Sequence, residues 1–365
     1  ITQTFTLGAV ERPTIANFSV IDSGISGNNQ NGTTLGRAGE NLAFIVTMSE
    51  SVTVAGGAPV LSFNVNGSSV AATYNAGSGS NILTFSGALV PATGNGTSIS
   101  LTTINLSGAT VTGALTNGTL TTTVTGQTYS GYTVDNTPPV APTLTLAVDS
   151  GSRPDDRITN NPTILAQGLE SGAIWQYKID GEASWTTGSG SSFVARSGTH
   201  SYFVQQTDAA GNTSGSSSAV TFVVDLTVAT PMLALASDTG LSASDSITNN
   251  STIRVLGLES AATWQYQVDG ASSWLAGTGS SFTASTGAHS YAVRQTDVAG
   301  NTSSGSVAVV YTLDTSLPSV PVLSLASDTG VSASDNVTGN PTVVIAGLEN
   351  SSTWQYQVDG AGSWL

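Results

Sequence analysis

The groups in this chain that could do chemistry are carboxylates, and they recur. Ala236–Asn250 reads ASDTGLSASDSITNN and Ala326–Asn340 reads ASDTGVSASDNVTGN. Each stretch keeps two aspartates, Asp238 with Asp245 and Asp328 with Asp335, and has no lysine or arginine. Nineteen of the 23 acids lie from Asp135 onward, and seventeen of these hold repeating positions. Asp135, Asp225 and Asp314 fall in linkers. Asp149, Asp238 and Asp328 share one loop with Asp156, Asp245 and Asp335. Glu170, Glu259 and Glu349 open a turn, Asp208 and Asp297 lie in another, and Asp180, Asp269 and Asp359 precede glycine in short hairpins. Between the fixed acids the sequence drifts, DSGSRPDD against DTGLSASD, which recent duplication alone explains poorly.

Carboxylates about 4 Å apart repel by roughly 4 kcal/mol per pair at an effective dielectric near 20. A close cluster therefore splays into water or takes up a cation. Hard oxygen ligands, Asn and loop carbonyls, with no Cys or His beside them, point to Ca2+ rather than zinc. The competing reading is that these aspartates shape turns, which Asp favours, and the Asp-Gly hairpins at Asp180, Asp269 and Asp359 are read that way. In the first copy Arg153 and Arg157 flank Asp155 and Asp156 and could neutralise them locally. No catalytic residues are expected. His200 and His289 are repeat equivalents, and no GxSxG, HExxH or paired-acid pattern accompanies them.

Composition narrows the class of protein. The 365 residues are enough for two to four domains. A net charge of −15 argues against nucleic acid or an anionic membrane surface as partner, since either needs a basic face. The absence of cysteine excludes disulfides and thiolate metal sites. No run approaches the roughly 18 apolar residues of a membrane-spanning helix, so no membrane insertion is expected. The chain opens on ITQTFTL, without Met or a signal-peptide pattern.

The elements that must position the acids are strands. Short runs of Val, Ile, Thr, Tyr and Phe alternate with Gly, Asn and Ser clusters, and 39% of the residues are apolar. Thr263–Leu275, TWQYQVDGASSWL, matches Thr353–Leu365, TWQYQVDGAGSWL, and more loosely Ile174–Thr186. QTDAAGNTS from Gln206 matches QTDVAGNTS from Gln295. Trp175, Trp264 and Trp354 are 89 and 90 residues apart. A period near 90 with about seven strands predicts tandem immunoglobulin-like β-sandwiches in an elongated, all-β array. In one repeat, strand A is Met232–Ala236, B Ser251–Leu258 and C Thr263–Val268. After the Asp269-Gly270 turn, further strands cover Ser273–Leu275, Ser281–Ala284, His289–Thr296 and Ser306–Leu313. The expected divisions are 1–13, a last strand of a preceding domain; 14–134, a different Ig-like or cadherin-like β domain; repeats 135–224 and 225–313; and 314–365, a repeat cut before its last two strands.

This topology sorts the acids by pole. End-to-end stacking brings the A–B loop of one repeat toward the B–C and F–G turns of the next. Asp149, Asp156, Asp225, Glu259 and Asp297 are then expected at one junction, and Asp238, Asp245, Asp314 and Glu349 at the next. Asp135, Glu170, Asp208, Asp328 and Asp335 are their counterparts at the remaining poles.

The string DNTPP…DSG…DDRIT…WQYKIDG…SW…SSF…QTDAAGNTS resembles the bacterial Ig-like repeats of giant surface adhesins, biofilm-associated and type I-secreted RTX-type, over residues 135–365. Residues 14–134, with MSESVTV and INLSGATVTGA, resemble another module of such proteins. The resemblance implies an extracellular extender at the bacterial surface. In it, neighbouring Ig-like domains are stiffened by calcium and hold a ligand-binding domain outward, and glycan or host receptors are met through domains outside this sequence. The alternative is a carbohydrate- or matrix-binding module of a secreted protein or hydrolase. Stacking of sugars on Trp185, Trp274 or Trp364 would serve it, whereas the Trp175–Ile179 alternation is read as core.

Overall fold

A computed structural model of the chain describes residues 11–22, 34–92, 94–97, 99–122 and 126–365. The described residues contain strands and turns and no helix. Of the expected strand at 1–13, residues 1–10 lie outside the described residues, and 11–13 are not in a strand. The chain divides into two compact units. One is the described residues up to Leu226 with Val298–Gly300, and the other is Thr227–Asp297 with Asn301–Leu365.

The first domain comprises β1 (Ile15–Asp22), β2 (Thr34–Gly36), β3 (Asn41–Ala55), β4 (Val60–Val65), β5 (Ser68–Ala76), β6 (Ser80–Leu89), β7 (Ile99–Asn105), β8 (Thr110–Gly113), β9 (Thr128–Tyr129) and β10 (Tyr132–Val134). The sheet order is β1-β3-β6-β5-β4-β7-β9, with β8 on β3, and β2 pairs β10 in parallel. β3 alternates buried and half-exposed residues, with Leu42, Phe44, Val46 and Met48 inward. Its register on β6 shifts between Thr47 and Val52, where β3 also takes up β8. Such an irregularity bends a strand, so one long strand serves two neighbours around a single core. Phe44 and Phe63 stack there with ring centroids 3.8 Å apart. Glu50 is only 8% exposed. The Thr116 hydroxyl chiefly holds its carboxyl below the usual range; burial opposes this, and the N–H groups of Leu115 and Thr116 add to it.

The second domain contains β11 (Thr143–Leu146), β12 (Ile158–Thr159), β13 (Thr163–Gln167), β14 (Ile174–Ile179), β15 (Thr186–Thr187), β16 (Ser192–Val194), β17 (Gly198–Thr207) and β18 (Val220–Val224). The third contains β19 (Met232–Leu235), β20 (Ile247–Thr248), β21 (Thr252–Leu256), β22 (Thr263–Val268), β23 (Leu275–Ala276), β24 (Ser281–Thr283), β25 (Gly287–Thr296) and β26 (Val309–Leu313). Both build a three-stranded sheet, β11-β13-β16 or β19-β21-β24, and a five-stranded one, β12-β18-β17-β14-β15 or β20-β26-β25-β22-β23. In the second domain one buried cluster joins Leu144, Ile164 and Phe193 of the first sheet to Trp175, Tyr202 and Val204 of the second. That is an immunoglobulin-like sandwich. The sequence reading has loop at 158–159 and 247–248. The structure places β12 and β20 there, paired in parallel with β18 and β26.

The Trp-Gln-Tyr strand packs as its alternation predicts. Trp175 and Trp264 are 3% and 4% exposed, and their indole N–H groups donate to the carbonyls of Gly190 and Gly279. A Cβ on Gly188 or Gly277 would lie 2.1 or 2.3 Å from the ring, so only glycine admits the indole. The next tyrosine stacks on a phenylalanine of the facing sheet, Tyr177 on Phe193 at 3.9 Å and Tyr266 on Phe282 at 4.2 Å.

The QTD motif has a role that the sequence reading does not reach. Gln206 and Gln295 are fully buried. The Gln295 side-chain carbonyl accepts from Glu259 N at 2.9 Å, and its amide donates to Ala229 O at 2.8 Å and Gly257 O at 3.1 Å. Gln206 does the same with Glu170 N, Val140 O and Gly168 O. One side chain thus ties the entry segment and the B–C turn to β17 or β25 with its polar atoms satisfied.

The hairpins clasp differently. Asp269 and Gly270 have φ of +48° and +65°, the left-handed pair of a tight turn. The His289 ring lies 2.7 Å from the Asp269 carboxylate. That hydrogen bond holds His289 above its usual range and Asp269 below its own.

In residues 314–365 the structure has only β27 (Val322–Leu325) and β28 (Val343–Ala346), paired with each other. Thr353–Val358 is not a strand, although its sequence is that of β22. Trp354 is 47% exposed, against 4% for Trp264.

Two expectations follow. Gln295→Leu strands one N–H and two carbonyls in a dry site and is expected to cost about 2–3 kcal/mol, read by urea unfolding of the chain; a loss under about 0.5 kcal/mol would show the pin to be dispensable. For the clasp, a raised His289 contributes stability below its ordinary value of about 6.5, lost as pH rises through its folded value. A depressed Asp269 contributes above about 4, lost as pH falls through its folded value. Both are present together only between these. His289 is expected to titrate above about 6.5 by NMR and to fall back toward it in Asp269→Asn; an unmoved midpoint would show that the contact is not formed.

Candidate functional site

Each A–B loop is held by its two aspartates. Asp149, Asp238 and Asp328 accept through Oδ2 from the backbone N of Arg157, Ser246 and Asn336, at 3.1, 3.0 and 3.0 Å. Those three donors have φ of +62°, +63° and +60°, so the contact holds a non-glycine residue in the left-handed region. Asp156, Asp245 and Asp335 accept through Oδ1 from the N–H two residues on, closing short turns. Thr159, Thr248 and Thr338 donate back to the carbonyls of Val148, Ser237 and Ser327. The same ladder is built three times on drifting sequence. It leaves the same remainder: Oδ1 of Asp149, Asp238 and Asp328 is buried with no hydrogen-bond partner. Arg153 and Arg157 form no ion pair with Asp155 or Asp156 among the described residues.

The acids of the turns and linkers are also engaged locally. Asp208 accepts from the backbone N and the side-chain amide of Asn212, at 2.8 and 2.9 Å, and Asp297 binds Asn301 likewise. The Asn212 amide also donates to Asp135 O, so this turn holds the incoming linker. Asp135 Oδ1 accepts from Thr137 N and from Asn95, and Asn136 reaches Ala38 N and Pro91 O. Arg37 of the first domain donates to Gly211 O. The junction of 14–134 with 135–224 is therefore laced by amides and one guanidinium. Glu259 accepts from Ala229 N and Glu349 from Ser319 N, while Glu170 is fixed through its own N–H on Gln206. Asp225 and Asp314 extend the parallel ladders, donating from N to Thr159 O and Thr248 O, and Asp314 Oδ1 accepts from Ser316 N.

The carboxylates of each loop thus meet N–H groups rather than one another. Among the described residues no three His, Asp or Glu side chains come together in a group that could hold a metal ion. The tryptophans differ. The Arg294 guanidinium lies 4.4 Å from the Trp274 ring centroid and Gly305 lies against the ring edge, while Lys178 stands over Trp185 at 5.3 Å. One face of each ring is therefore occupied by a cation. Trp364 is 61% exposed.

Residues 226–315 match the family model of the bacterial Ig-like domain. No curated protein matches the chain in sequence. Solved structures that match include the fibronectin(III)-like modules of Clostridium thermocellum CbhA, at 14% identity over 56% of this chain and 94% of that one, with a TM-score of 0.26. A tetra-tandem repeat in the extending region of a large adhesion protein matches at 14% identity over 85% and 77%, with a TM-score of 0.25. The human desmocollin-1 ectodomain matches at 11% over 85% of this chain and 60% of its own length, less than two thirds, with a TM-score of 0.20. Residues 226–315 are thus similar to the bacterial Ig-like domain, and residues 135–224 repeat the sheets of that stretch strand for strand.

Proposed function

We propose that this chain is a structural extender segment of a large bacterial surface adhesin, extracellular and non-catalytic, that supports adhesion and biofilm formation by holding other domains outward. The observation that carries this reading is repetition: one sandwich is built twice with the same strand order, the same buried glutamine and the same turn clasps. Its polar loops are used to brace themselves and the linker. The neighbouring Ig-like domains of the chain are its first partners, and receptors, glycan or protein, are met elsewhere.

Calcium is the cofactor of this proposal. The three Oδ1 atoms of Asp149, Asp238 and Asp328, buried without a partner, support it, because an orphaned carboxylate oxygen is costly unless a cation or donor completes it. Those three would be ligands, with Asp156, Asp245 and Asp335 beside them in the loops. The poles add Asp135, Asp225, Asp314, Glu170, Glu259, Glu349, Asp208 and Asp297. Bound calcium would neutralise like charge and stiffen the linkers.

Titration calorimetry, thermal melts and small-angle scattering with and without chelator test this. Calcium at about 100 times its Kd is expected to add about 2.7 kcal/mol and to lengthen the chain. Asp149→Asn, Asp238→Asn and Asp328→Asn together are expected to abolish the response. No uptake and an unchanged maximum dimension would leave the aspartates as loop braces. A glycan array tests the extender role separately, and saturable binding there would favour the carbohydrate-binding alternative.

A further inference from the structure

Residues 135–140 link the first domain to the second, and both ends of the linker are tied down. At the first-domain end, Asp135 N donates to Gly36 O at 2.9 Å, continuing the parallel pairing of β2 with β10. Asn136 N donates to the Asn95 side-chain carbonyl at 2.8 Å. The Asn136 side-chain carbonyl accepts from Ala38 N at 2.7 Å, and its amide donates to Pro91 O and Gly94 O at 3.1 and 3.2 Å. The Asn95 amide donates to the Thr137 hydroxyl at 2.6 Å. At the second-domain end, the Asn212 amide holds Asp135 O and the buried Gln206 amide holds Val140 O, at 2.8 and 2.7 Å. Between these anchors stand Pro138 and Pro139, the latter buried, and their rings fix φ.

One cation closes the joint. Arg37 opens the turn after β2. Glu40 Oε2 accepts from Arg37 N at 3.2 Å, and Glu40 Oε1 lies 3.5 Å from Arg37 Nε, so a carboxylate of its own domain orients the guanidinium. Arg37 Nη1 then donates to Gly211 O in the turn that carries Asp208. Gly211 has φ of +89°, and a Cβ there would lie 3.3 Å from the guanidinium carbon, so glycine serves both the turn and the close approach. Asp208 faces Asn212 within that turn.

We propose that residues 14–134 and 135–224 form one rigid body whose joint needs no divalent cation, because Arg37 and the amides of Asn95, Asn136 and Asn212 brace it. The joint is built differently in sequence from the next linker: Asp225–Ala229 reads DLTVA, with neither asparagine nor proline. Calcium at Asp135 or Asp208 can add to this bracing but does not supply it. The inference goes beyond the calcium reading and does not rest on it. That reading fails when the chain takes up no calcium, and this one fails when the joint moves in chelator.

The test is pulsed electron spin resonance on the full chain. The chain has no native cysteine, so Thr73→Cys on exposed β5 and Val194→Cys, 72% exposed on β16, place one spin label on each domain. In excess chelator a single narrow distance is expected, unmoved by calcium. A free linker of this length would spread its ends over about 13 Å. Arg37→Gln with Asn136→Ala is expected to broaden the distribution roughly twofold toward that limit, as is Pro138→Gly with Pro139→Gly, while the melting transition of the chain is retained. A broad distribution in chelator, narrowing only when calcium is added, or unchanged widths in both variant pairs would overturn the proposal. The first two outcomes need no variant, so a variant that fails to fold leaves the test decisive.

Discussion

Each ninety-residue sandwich depends on the pairing of its Trp-Gln-Tyr strand with the long strand that carries the glutamine. Trp264↔Gln295, Tyr266↔Val293 and Val268↔Tyr291 align one sheet. The same register places Trp264, Val293 and Tyr291 in the interior. Gln295 then reaches out of that ladder to the entry segment and the B–C turn. Remove the long strand and the turn loses its anchor, the tryptophan its cover and the parallel β20–β26 ladder its support. Strand pairing, core burial and the position of the incoming linker therefore rest on one non-local contact, the kind whose loop-closure entropy must be met before its bonds form.

The acids follow from the scarcity of positive charge. With 8 basic residues against 23 acids, most carboxylates cannot be paired with a cation. The described structure instead gives many of them backbone N–H groups and asparagine amides as hydrogen-bond donors. Placing each acid at a loop end provides such donors at short range. Three equivalent oxygens remain without one, the residue of a pattern that is otherwise locally satisfied.

Much of the fold was legible. Period-2 alternation and turn residues placed the strands of 225–313 to within a few residues, with Thr263–Val268 matching β22 at both ends. The Asp269-Gly270 turn was read from its residues, since few others tolerate consecutive left-handed positions. Less was legible in the site. β12 and β20 are two residues long and owe their strand state to a parallel neighbour some sixty residues away, which periodicity cannot show. Gln206 and Gln295 look like surface residues of a polar motif, and only the converging backbone groups make burial favourable. The tryptophans after the hairpin look free until Lys178 and Arg294 are seen above them.

The sequence by itself determined the repeat period, the all-β class, the polar loops and the recurrence of the acids, because these are written in local alternation and spacing. It did not determine whether a stretch with those properties becomes a strand. Thr263–Ala271 and Thr353–Ala361 are the same nine residues. The first six of one form β22, with its tryptophan buried, and the other has no strand, with its tryptophan 47% exposed. Intrinsic β preference is identical in the two and is small beside the bonds and burial that a neighbouring strand supplies. β25 lies beside the first copy, and among the described residues no strand pairs with the second.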